Sequence, residues 1–91
     1  MKKKINTNDL NNLAKLKWAC RRGMLELDVL LGNFLQEVYL DLSVADKQRF
    51  VDLLEYSDPE LFSWLMGTAF PKDPEISSIV NRIRSHAHSR I

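Results

Sequence analysis

The chain has 91 residues, 45% hydrophobic and 27% charged, a globular composition that excludes a disordered polymer. A domain this small buries only roughly 60–65% of the surface its unfolded form exposes, so its core is lean and a deep internal active-site cavity is disfavoured. The net charge of +1 conceals three blocks: residues 1–22 hold seven basic groups and one acid, residues 23–75 three basic groups and eleven acids, and residues 76–91 three arginines.

The basic extension 1–8 precedes the first periodic segment and is expected to be flexible. From about Asn8 to Cys20, Leu10, Leu13, Ala14 and Lys17 fall at i, i+3, i+4 and i+7, with Trp18 one turn beyond Ala14, which predicts a modest amphipathic helix. A second helix is predicted from about Met24 to Leu40. Its Leu27, Leu30, Leu31, Phe34, Leu35, Val38 and Tyr39 make a stripe wide enough for burial on more than one side, as suits a central helix. Ser43 offers an N-cap, with Asp46 at the third following position, and Val44, Lys47, Phe50, Val51 and Leu54 carry a third helical period. Asp58-Pro59 reads as cap and first helical residue of a short apolar fourth helix that Gly67 closes. Asp73-Pro74 repeats the device and opens a fifth helix, with Ile76, Ile79, Val80 and Ile83 in register. From Ser85 the apolar period is gone, and the tail 85–91 is expected to fray. The predicted fold is all-α, a single domain of five helices over residues 9–84.

The chemistry-bearing residues are few. Cys20 is the only cysteine, so neither an internal disulfide nor a thiolate-rich metal site can be built from this chain. His86 and His88 point about 200° apart on a helix and share no metal face. The longest uncharged stretch, Leu61 to Pro71, is far short of a membrane span, and the four Asn within 5–14 break the apolar run that a secretory signal needs after its lysines. Direct membrane insertion is therefore not expected. An acidic central block repels a polyanion, so nucleic acid is not the expected partner.

The junction of the first two helices is harder to reduce to packing. Arg21 and Arg22 suit the carbonyl end of one helix, and Glu26 and Asp28 suit the amino end of the next. Gly23 between them has two readings. It provides a left-handed or tight turn that only glycine adopts cheaply, or its missing side chain admits a partner's backbone between Arg22 and Glu26. Both stay open at this point.

Trp18-x-Cys20-Arg21-Arg22-Gly23-Met24-x-Glu26-Leu27-Asp28, with the later block Asp58-Pro59-Glu60-Leu61-Phe62-x-Trp64-Leu65, resembles the succinate dehydrogenase flavinylation factors, whose hallmark is Arg-Gly-x-x-Glu. The likeness spans about residues 10–84. It implies a five-helix assembly factor that is not itself an enzyme. Such a factor binds the flavoprotein subunit of succinate dehydrogenase, and often of fumarate reductase, and promotes covalent attachment of FAD to it. The factor holds no tight cofactor of its own, because the FAD is attached to the client. The implied partner contacts are Arg22, Gly23 and Glu26 at the centre, Arg21, Asp28 and Trp18 at the flanks, and Asp58 and Trp64 from the second block. The absence of a convincing transit peptide makes a bacterial cytoplasm the expected compartment, with a monomer or weak homodimer as the free form. The competing reading is a small helical regulator that binds DNA or a toxin-like protein through its basic ends.

Overall fold

The computed structural model describes residue 10 and residues 12–89; the basic extension 1–8 lies outside them. Five α-helices follow in order: α1 Leu13–Ala19, α2 Leu25–Glu37, α3 Val44–Leu53, α4 Asp58–Met66 and α5 Pro74–Ser89, with a 3-10 turn at Tyr39–Asp41 between α2 and α3. This is the predicted all-α single domain, and its helix starts are set largely by side chains close in sequence. Asn12 accepts the Lys15 amide and opens α1, later than the periodicity suggested. The Ser43 hydroxyl accepts the Asp46 amide at 3.1 Å, as predicted for α3. The Asp73 carboxylate accepts the Glu75 amide at 2.8 Å and opens α5. Gly67 ends α4 with φ 79°, the left-handed conformation that favours glycine.

α4 departs from the predicted start. Its cap is Ser57, not Asp58: the Ser57 hydroxyl accepts the Glu60 amide while the Glu60 carboxylate accepts the Ser57 amide, a reciprocal capping box. The Ser57-x-x-Glu60 spacing is present in the sequence and overlaps the competing Asp58-Pro59 signal. As a result the Asp58 carboxylate is free for a different use.

α5 packs on α2, α3 and α4, so it shares the centre of the fold with α2, which also meets α1 and α4. Ile76, Ile79, Val80 and Ile83 are all buried, as their spacing predicted. Phe34, Tyr39 and Phe50 form a continuous aromatic cluster with ring centroids 5.4–5.5 Å apart. The Tyr39 hydroxyl is satisfied inside it by donating to the Leu10 carbonyl at 2.5 Å.

α5 continues to Ser89, past Ser85 where the apolar period ends. The anchor is polar and therefore invisible to an apolar period. His86 sets its ring edge-on to Phe34 at 5.6 Å, and its Nε2 lies 2.9 Å from Oε1 of Glu37 at the end of α2. Residues 85–89 are thus helical.

Candidate functional site

The turn joining α1 to α2 lies against the turn joining α3 to α4, and Arg22 fastens them. Its guanidinium donates to the Leu54 carbonyl, to the Tyr56 carbonyl at 3.4 Å and to Asp58 Oδ1 at 3.4 Å. The Arg22 side chain is only 15% exposed, so this arginine points into its own fold and serves the carbonyls left open where α3 ends. The Arg22 amide donates to Asp28 Oδ1 at 3.0 Å, which folds the start of α2 back over the turn. Asp58 completes the knot. Its Oδ2 accepts the Gly23 amide at 3.1 Å while Oδ1 meets Arg22, so one carboxylate holds both neighbours. Trp64 is buried beneath the knot, with its ring edge-on to Tyr56 at 4.9 Å.

The motif residues therefore divide into two groups. Arg22, Asp28, Asp58 and Trp64 turn inward and build the junction, and Phe62 packs partly buried against the core. Trp18, Arg21, Gly23 and Glu26 face solvent. Trp18 is 72% exposed, and the Arg21 guanidinium stacks over its ring at 5.5 Å, a cation–π contact that holds both side chains on the surface. What sequence reasoning missed are the Leu54 and Tyr56 carbonyls. Backbone acceptors carry no residue-type signal, and only the meeting of two distant turns reveals them.

Gly23 does not adopt the positive φ that would make glycine obligatory; Gly67 is the glycine that does. A Cβ built at Gly23 would come no closer than 3.6 Å to Asp58 Oδ2, an ordinary van der Waals contact. The turn reading of Gly23 thus loses its physical reason, and the chain's own packing leaves room for a small side chain there. Glu26 stands exposed beside it in the first turn of α2.

Cys20 lies under this junction, 2% exposed. Burial pushes its thiol up to about 12 from an ordinary 9.0, against the opposing pull of Arg22 and with a further push from Asp28. A thiol so disfavoured as thiolate is not a nucleophile. The folded state holds the proton more tightly than the unfolded state, so this contribution to stability is complete below about pH 9 and is lost as pH rises toward 12. The melting temperature of the unmodified protein should fall more steeply above pH 9 than that of Cys20→Ala, whatever the offset between them at neutral pH; parallel curves would contradict the assignment. Among the described residues no group of three or more His, Cys, Asp or Glu is placed to hold a metal ion, and no helix is long and apolar enough to cross a membrane.

The arrangement defines an all-helical domain with one exposed motif at a helix junction. Residues 14–87 match the family model described as flavinator of succinate dehydrogenase. The chain is 53% identical over 79 residues to the FAD assembly factor SdhE of Shewanella oneidensis, covering 87% of this chain and 96% of that one. It is 50% identical over 82 residues to the protein of the same name from Colwellia psychrerythraea, with 86% and 90% covered. A solution structure of a UPF0350 protein superposes with a TM-score of 0.73 at 40% identity, covering 94% of this chain and 89% of that one. The chain belongs to the family of FAD assembly factors, the flavinators of succinate dehydrogenase.

Proposed function

We propose that this protein binds the flavoprotein subunit of succinate dehydrogenase and promotes covalent attachment of FAD to it, with the fumarate reductase flavoprotein as a second client. The FAD belongs to the client; the factor contributes no catalytic group and acts in the bacterial cytoplasm as a monomer. Family membership supports the flavin-assembly role. The single observation that carries the contact site is the pairing of exposed Glu26 with Gly23, a glycine for which the fold itself gives no steric or conformational reason.

In this reading the inward residues are the frame and the outward ones the contact. Arg22, Asp28, Asp58 and Trp64 hold the α1–α2 turn in one shape, so that Gly23 admits client backbone and Glu26 meets a client donor without prior reorganisation. Arg21 and Trp18 flank them. Holding a client segment in reactive geometry can by itself lower a barrier by several kcal/mol, because the entropy of alignment has been removed beforehand. That suffices for a factor that brings no reactive group of its own.

The test is the covalent flavin fluorescence, on a denaturing gel, of each client flavoprotein expressed alone and together with this protein. A client band that brightens only with the factor is the expected result. Equal bands for the succinate dehydrogenase subunit, with the factor folded and expressed, would overturn the reading, and equal bands for the fumarate reductase subunit alone would remove only the second client.

A further inference from the structure

We propose that the contact does not end at Glu26: the outer face of α2 formed by Leu25, Val29 and Gly32 is a second part of the docking surface. It seats a segment of the flavoprotein client that carries an apolar strip beside a cationic side chain. This rests on the client reading above and extends its contact along about two turns of helix.

Leu25, Val29 and Gly32 fall at i, i+4 and i+7 and so line one face of α2. Leu25 is 73% exposed and Val29 50% exposed, on a helix whose opposite face already buries Leu27, Leu31, Phe34 and Leu35. The core therefore has no need of them. Gly32 is the more telling residue. It sits inside a helix, where glycine is a poorer former than any other residue except proline, without a positive φ. A Cβ placed there would meet nothing within 4 Å. The fold thus bears a weak helix position and gains no space, turn or close contact inside the molecule in return. Gly23, just before the same helix, also lacks an internal reason. Two glycines unexplained from within, flanking two exposed aliphatic side chains, are accounted for together by a backbone that approaches α2 from outside.

Charge decides between a client and a second copy of this chain. α2 carries Glu26, Asp28 and Glu37 and no lysine or arginine. Asp28 holds the Arg22 amide and Glu37 meets His86, which leaves Glu26 as the outward carboxylate beside the aliphatic strip. Two copies packed symmetrically through this face would set the acids of α2 against each other, and the neighbouring exposed cation, Arg21, is already engaged over the Trp18 ring. The occupant must bring its own cation.

The experiment is titration of the purified FAD-free client flavoprotein subunit with the full-length protein and its variants, alongside thermal melts of each variant alone. Leu25→Ser and Val29→Ser should each weaken binding roughly tenfold while lowering the melting temperature by no more than a few degrees. Gly32→Ala should raise the melting temperature by roughly 4–8 °C through helix propensity and still weaken binding, a combination that a purely structural residue does not produce. If these variants bind like the unmodified protein while Glu26→Ala does not, the contact ends at Glu26 and the extension is wrong, with the client reading intact. If the unmodified protein does not bind the client, both fail together. If the variants change the sedimentation of the free protein and not client binding, the face belongs to a second copy and the proposal is overturned.

Discussion

Glu26→Ala should reduce covalent flavinylation of the client to the level seen without the factor, while the far-ultraviolet helix signal is kept and the melting temperature moves by only a few degrees. Glu26 is exposed in the first turn of α2, where its one internal role is to favour the amino end of the helix dipole, worth about 0.3–1 kcal/mol. A charge-assisted contact that is buried on binding typically costs about 2–5 kcal/mol when one partner is removed, which is roughly 30-fold to several thousand-fold in affinity. The functional loss should therefore far outweigh the structural one. Gly23→Arg should act in the same way by filling the approach that Gly23 leaves open. Gly23→Ala is the finer probe, because its Cβ fits beside Asp58 at 3.6 Å and the variant should fold normally. Full flavinylation by Glu26→Ala, or a loss explained by unfolding, would defeat this account of the contact.

Arg22→Ala should behave in the opposite way, as a stability mutant first. It removes the donors held by the Leu54 and Tyr56 carbonyls and the cation beside Asp58, at a side chain only 15% exposed. Stranding buried acceptors costs about 1–3 kcal/mol for each group that water cannot reach. Asp58 keeps the Gly23 amide and the loosened turns admit some solvent, so a net loss of about 2–3 kcal/mol is expected. In a domain of this size that lowers the melting temperature by roughly 10–20 °C. Arg22→Lys should recover little, because one ammonium cannot reproduce the planar fork that spans two carbonyls and a carboxylate. The two roles for this arginine separate cleanly: a variant that melts like the unmodified protein yet fails to flavinylate would mark Arg22 as a direct client contact and refute its role as the junction's fastener.

Much of the fold was legible because the features that carry it are local. The Ser43 cap, the Asp73-Pro74 start, the Gly67 stop and the Ile76–Ile83 stripe each depend on residues within about one or two turns of each other, the range over which helix periodicity and capping act. Where the structure departs from the local pattern, longer or competing contacts decide. Asp-Pro is a strong local signal for a cap at Asp58, yet Ser57 and Glu60 close the helix end between them. Beyond Ser85 the helix meets the rest of the fold through the polar pair His86 and Glu37, which an apolar period does not register.

The candidate site divides along the same line. The residue string around Gly23 and the block around Asp58 were enough to point to the family, since a motif can be read without knowing where its side chains point. Sequence by itself determined the helical class, most of the core and the membership. Tertiary structure alone decided which motif residues are frame and which are surface. Arg22 finds its acceptors 32, 34 and 36 positions away, and no local propensity encodes that meeting. It exists only once α3 and α4 have packed against α2 and α5 and brought two turns together, turning a charged residue that reads as a contact arm into a partly buried fastener and leaving Gly23 and Glu26 facing outward.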